Sequence, residues 1–226
     1  MYDTIGYLDT MLSTASCRIM YGEYCVPQLS HQANGKFAVT EMYHPLIPEG
    51  VRNSITAERS VLLTGSNASG KSTFIKTVAL NAILAQTLHT VLAENYQASW
   101  FCIASSMALR DDILSQESYY IVEIRSLKRI LDLTRLSELP VLCFIDEVLR
   151  GTNTVERIAA SSRILQAIAE QGGLCFAATH DIELTYLLEK EYDNYHFEEQ
   201  VEDDKVTFDY CLHEGRACTR NAIRLL

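Results

Sequence analysis

The run Gly65-Ser66-Asn67-Ala68-Ser69-Gly70-Lys71-Ser72 fits the pattern G-x-x-x-x-G-K-[ST], and the chemistry this spacing serves is polyphosphate binding. Glycine at both ends lets the backbone wrap close to anionic oxygens, so that successive N–H groups and the start of the following helix face the negative charge. Lys71 is then placed to reach the β- and γ-phosphates and Ser72 to hold magnesium through its hydroxyl, with Thr73 closing the nucleotide-contacting run. A second group stands some 75 residues downstream, where Val141-Leu142-Cys143-Phe144-Ile145 ends in Asp146-Glu147. An apolar strand finishing in two carboxylates puts Asp146 beside the magnesium and Glu147 one residue nearer the γ-phosphate, where it can act as general base on water. By itself an Asp-Glu pair after a strand is usually a solvated turn; the glycine-rich loop upstream gives it meaning. The third position is His180, after Thr179 and just beyond another apolar run, where an imidazole can sense the γ-phosphate by hydrogen bonding. A solitary histidine is more often an ordinary surface residue, but the C-terminal edge of such a sheet is where ligands bind.

These side chains need strands and helices to hold them. Ser60 to Thr64 reads as a short apolar strand, followed by a helix with Ile75, Val78, Ala79, Ala82 and Ile83 on one stripe. A second helix is predicted from Tyr120 to Ser137, with Pro140 ending the connection. Val141 to Ile145 is a continuous apolar run of the kind found in parallel strands buried on both faces. Helix, strand and helix follow over Val155–Glu170, Leu174–Ala178 and Ile182–Glu189, and Lys205 to Leu212 reads as a late strand after the acidic turn Glu202 to Asp204. This alternation predicts an α/β fold with a mainly parallel central sheet flanked by helices. Before it, Tyr7 to Ser16 reads as the end of a helix, Pro27 to Gly35 as a loop, and Phe37 to Tyr43 as a strand closed by Pro45 and Pro48.

Composition narrows the class. The 226 residues are 48% apolar and 21% charged, ordinary globular proportions that exclude a mostly disordered chain. No apolar run reaches membrane-spanning length, and no export signal opens the chain, so no membrane partner is predicted. Seven cysteines lack a C-x-x-C pair or a histidine pattern, which argues against a zinc site or disulfide framework and for a reducing, cytoplasmic setting. The formal charge is −10 and no segment concentrates Lys and Arg, so any grip on DNA has to come from elsewhere.

Five ordered stretches together resemble the ATPase domain of the MutS family. His44-Pro45-Leu46-Ile47 is similar to H-P-L/V-I/V, and Thr64-Gly65 through Lys71-Ser72-Thr73 to T-G-x-N-x-x-G-K-S-T. Asp111-Asp112 with Ser118-Tyr119-Tyr120-Ile121-Val122-Glu123-Ile124 follows D-D-L-x-x-G-x-S-T-F-M-V-E-M. Asp146-Glu147 through Arg150-Gly151-Thr152-Asn153-Thr154 resembles D-E-x-x-R-G-T-S-T, and Ala178-Thr179-His180 with Glu183-Leu184-Thr185 resembles A-T-H-Y-x-E-L-T. Asn194-Tyr195-His196 fits a later N-x-H, so the resemblance covers roughly residues 44 to 223.

The resemblance implies an ABC-type P-loop ATPase with a smaller antiparallel β part, using ATP and magnesium and pairing face to face as a homodimer. The expected nucleotide contacts are Gly65 to Thr73, with Tyr210 and Ser118; Ser72 and Asp146 are the expected magnesium ligands, and Lys71, Glu147 and His180 the catalytic residues. The 111–123 segment and the 151–154 loop are expected to approach nucleotide held by the partner. DNA is expected to be bound through domains missing from this chain, with residues 1–40 as the end of an upstream helical region and 41–226 as the ATPase domain. Three departures bear on this. Gln116, Glu117 and Tyr119 replace a glycine, an often basic residue and a threonine; a glycine admits phosphate to the backbone and a carboxylate repels it, so the changes act against contact through this loop. Val51 is aliphatic where relatives use an aromatic against adenine. Tyr210 aligns with another adenine-facing position and either stacks there or is a plain strand residue. An alternative function is a nucleotide-gated dimerisation module with little hydrolysis, while an ABC or chromosome-structural ATPase outside the family is disfavoured because an L-S-G-G-Q-type run is absent.

Overall fold

The fold is taken from a computed structural model that describes residues 2–31, 35–47, 49–66, 68–107, 119–149, 153–202 and 205–217. Three apolar runs form the centre of a six-stranded sheet: β4 (Ser60–Thr64), β7 (Val141–Asp146) and β8 (Leu174–Ala178), numbered along the chain. With β6 (Cys102–Ser106), β9 (Tyr192–Glu202) and β10 (Lys205–Glu214), the order is β10-β9-β4-β8-β7-β6. All neighbours are parallel except β10, which pairs antiparallel with β9 at one edge.

Why these runs are continuously apolar follows from the two-residue period of a strand. Val61, Leu63, Leu142, Phe144, Leu174 and Phe176 face one core, while Leu62, Cys143, Ile145, Cys175 and Ala177 face the other. The second core is closed by α3 (Tyr119–Leu136) and α4 (Thr154–Glu170). The first is closed by α2 (Lys71–Leu88) and a smaller sheet of β1 (Gln28–Ser30), β2 (Phe37–Met42), β3 (Asn53–Ala57) and β5 (Asn95–Ser99). That sheet runs β1-β5-β2-β3 and is antiparallel except between β1 and β5. The architecture is therefore α/β, with a mainly parallel sheet between helices and a smaller, mostly antiparallel part.

Several elements differ from the sequence reading. The loop expected over Pro27 to Gly35 contains β1, and the first helix, α1, is longer than expected, at Tyr2–Tyr21. The helix expected over Ile182 to Glu189 shortens to α5 (Leu184–Leu187), because Asp181 starts a turn and Leu188 already accepts from Tyr192 N at 2.9 Å as β9 begins. Ile83 is exposed rather than in the buried stripe of α2, whose inward face is widened instead by Phe74, Thr77, Asn81 and Ala85. Buried Asn81 is satisfied on both ends of its amide: Nδ2 donates to the Tyr43 and Thr77 carbonyls, and Oδ1 accepts from Leu92 N at 2.8 Å.

Helix α1 buries none of its residues. Its C-terminal end is held where α2 stops: Arg18 Nε donates to Thr90 Oγ1 at 2.9 Å and Nη2 to the His89 carbonyl at 3.0 Å, with the guanidinium 5.0 Å from the centre of the Tyr24 ring. Among the described residues no helix is long and apolar enough to cross a membrane, and the described cysteines are all free.

Candidate functional site

The loop between β4 and α2 is shaped by two glycines in the left-handed region. Gly65 has φ 145°, and a Cβ there would lie 2.9 Å from the Phe197 carbonyl oxygen; Gly70 has φ 107°, and a Cβ there would press on the Tyr210 ring at 3.2 Å. Gly70 is also the residue before α2, so no side chain caps that helix and its first N–H groups face the loop. Lys71 is 5% exposed, and its Nζ donates to the Gly65 and Ser66 carbonyls, each at 2.7 Å. A buried cation beside an uncapped helix start makes an anion site.

The ends of β7 and β8 meet this loop. Glu147 takes a left-handed torsion (φ 59°), with its N–H on the Ala178 carbonyl at 3.0 Å, and Leu149 repeats the torsion (φ 58°). The turn is held from α3: the carboxylate of Glu123, 2% exposed, accepts from Leu149 N at 2.6 Å. His180 Nε2 lies 2.6 Å from Glu147 Oε1, and its Nδ1 lies 3.1 Å from the Gly65 carbonyl oxygen. The ring thus bridges the carboxylate that follows β7 and the loop that precedes α2. Thr179 N donates to the Leu63 carbonyl at 2.9 Å, which ties the turn carrying His180 to β4.

A cavity of about 660 Å³, a size typical of small-molecule sites, joins these groups; its wall includes Ala68 to Thr73, Glu147, His180 and Tyr210. Tyr210 enters through a bulge in β10, where the pairing with β9 shifts between Phe208 and Leu212. Asn53 spans that bulge, Nδ2 donating to the Tyr210 carbonyl at 3.1 Å and Oδ1 accepting from Leu212 N at 2.7 Å. His44 and Val51 stand on the same wall. Burial and the Lys76 charge lower the pKa of His44, whose Nδ1 accepts from Leu46 N at 3.1 Å, so it lines the cavity as a neutral ring.

Gly65 and Ser66 lie behind the cavity wall as carbonyl partners of Lys71, and Asp146 adjoins Glu147 on β7. Asn67, Asp111, Asp112, Gln116, Glu117, Ser118 and 150–152 lie outside the described residues, as does the side chain of Tyr119. The sequence reading missed Asn53, which no local pattern marks.

The donor set fits a nucleoside triphosphate with magnesium. Asp146 Oδ1 and the hydroxyl oxygens of Ser66 and Ser69 are buried with no hydrogen-bond partner among the described residues, as groups awaiting an oxygen-rich ligand and its cation would be. No cluster of three or more His, Cys, Asp or Glu that could hold a metal occurs among the described residues. Magnesium does not need one, since it takes one or two protein oxygens and completes its shell from phosphate and water.

A family model described as MutS domain V matches residues 61–225. The chain is 34% identical over 198 residues to the DNA mismatch repair protein MutS of Pseudothermotoga lettingae, covering 84% of this chain and 24% of that protein. It is 32% identical over 240 residues to MutS protein homolog 4 of Mus musculus, covering 97% of this chain and 24% of the relative. Against the DNA mismatch repair protein MutS of Thermus aquaticus the identity is 30% over 217 residues, 94% of this chain and 26% of the relative. The chain thus spans about a quarter of the length of these curated relatives. With a family match running from β4 past β10 and these identities over most of its length, the chain belongs to the MutS family and carries its domain V.

Proposed function

We propose that this chain is the ABC-type P-loop domain of a MutS-like DNA repair or recombination protein, and that it binds and hydrolyses ATP with magnesium. The observation that carries the reading is the convergence of Lys71, at the uncapped start of α2, with the Glu147–His180 pair on one cavity of nucleotide size. Lys71 neutralises phosphate charge, and the N–H groups of the Gly65–Thr73 loop bind the phosphate oxygens. Ser72 and Asp146 would hold magnesium, which when bound supplies the concentrated positive charge that phosphoryl transfer needs. Glu147 Oε1 takes the proton of the attacking water, and His180 holds that carboxylate in place from β8. Tyr210 offers a ring for the adenine beside Gly70.

In this reading residues 41–226 are the ATPase domain and residues 1–40 its helical lead-in. The domain works in the cytoplasm as a homodimer closed through the ATPase face, and closure drives clamp movement. Ser118 and the 151–154 loop serve the partner's nucleotide. A net charge of −10 leaves the grip on DNA to other parts of a longer protein.

Replacing Glu147 with glutamine is expected to abolish turnover while magnesium-ATP still binds, measured by steady-state hydrolysis and equilibrium nucleotide titration. Unchanged turnover removes Glu147 from the mechanism. A second reading, a nucleotide-gated dimerisation module with little hydrolysis, is favoured by the 2.6 Å contact that already engages Glu147 Oε1. Specific activity against protein concentration separates the two: a composite site gains activity as dimer forms, whereas a gated binder stays near background throughout.

A further inference from the structure

We propose that the Arg157–Asp181 ion pair is the positioning clasp of the hydrolytic pair, fixing the turn that presents His180 to Glu147 without itself touching nucleotide. The proposal rests on the roles given above to Glu147 and His180 and deepens them. Asp181 follows His180 directly, and its N–H donates to Thr179 Oγ1 at 3.0 Å. Its carboxylate accepts two bonds from Arg157, from Nε at 2.8 Å and Nη2 at 2.6 Å, with side-chain exposures of 24% for the arginine and 12% for the aspartate. A two-pronged fork of this kind fixes orientation as well as distance, which a single contact does not.

The arginine is itself rigidly mounted. It stands in the first turn of α4, whose start is capped by Asn153 Oδ1 accepting from Val155 N and Glu156 N, and Arg157 N donates to the Asn153 carbonyl at 2.9 Å. The other side of the turn is tied by Thr179 N to β4. His180 is therefore suspended between a fixed point on β4 and a fixed point on α4, and its ring is aimed at Glu147 Oε1. The Arg157 pKa is raised first by the bond to Asp181, and the charges of Asp181, Glu147 and Glu183 add to the effect against burial. Without Arg157, the Asp181 carboxylate would stand uncompensated on the residue directly after His180. The A-T-H-Y pattern quoted above has tyrosine where this chain has Asp181.

The test uses the full chain and the variants Arg157→Met, which keeps the aliphatic stem, Asp181→Asn, and the double variant. Each single change is expected to lower kcat about tenfold while the dissociation constant for magnesium-ATP stays within about twofold. The double variant should be no worse than either single, since both remove one interaction. The His180 ring Cε1–H resonance should also move in Arg157→Met at constant pH, a readout that does not depend on turnover. An unchanged kcat, additive losses, an unmoved resonance, or a parallel fall of affinity, kcat and melting temperature would each overturn the clasp, the last reducing it to a fold staple. If the unaltered chain binds no ATP, the proposed function fails with it; a shifted resonance then leaves only the positioning of His180 standing.

Discussion

At Tyr210 the backbone torsion, φ 56°, is one that costs a residue with a side chain roughly 1–2 kcal/mol. The two hydrogen bonds from Asn53, worth about 1 kcal/mol each, offset that cost and hold the ring over Gly70. Asn53→Ala is therefore expected to let the bulge relax and to weaken binding of adenosine triphosphate several-fold, while Asn53→Asp, which keeps the acceptor for Leu212 N, loses less. Titration with ATP and with inorganic triphosphate separates base from phosphate contacts: a loss shared equally by both, or none at all, sinks the idea. That Lys71, Ser72, Glu147 and His180 share one cavity could be anticipated from sequence, because each sits at a fixed offset from a strand or helix end. Asn53 could not, because its partner Tyr210 is 157 residues away and no local spacing announces a bond across a bulge.

Elements were legible in proportion to their burial on both faces. The central strands β4, β7 and β8 stand out as unbroken apolar runs because each lies between two cores. β3, β5 and β6 carry Asn53, Ser54, Asn95, Gln97, Ser105 and Ser106 among their apolar residues and leave no comparable run. The link between α3 and the turn after β7 was also hidden, since a glutamate on a helix usually points to water. Glu123 points inward instead, and its carboxylate serves Leu149 N. Glu123→Ala strands that buried N–H and is expected to cost about 1–3 kcal/mol. At roughly 2–4 °C per kcal/mol for a chain of this size, melting should fall by several degrees. Glu123→Gln keeps an acceptor and should lose less than half as much, so an alanine variant melting with the unaltered protein refutes the link.

On the scale of the whole molecule, anything bound by the folded chain alone raises its stability by mass action. Magnesium-ATP at a hundred times its dissociation constant should add about 2.7 kcal/mol. That corresponds to a rise in melting temperature of roughly 5–10 °C, which chelating the magnesium should reduce; a scan without any shift contradicts a nucleotide site. Five ordered motifs made the family legible from sequence, whereas the net charge of −10 says only that the chain's overall field does not favour a phosphate backbone. The mounting of α1 has a mechanical consequence. Helix α2 is a rod of 18 residues, about 27 Å long, with Lys71 at its head and the Arg18 anchorage at its foot. A small tilt of that rod, imposed by whatever Lys71 grips, would reach α1 as a change of heading, and since α1 has no fully buried residue and only Thr14, Cys17, Arg18 and Tyr21 half-buried, little packing opposes such a swing.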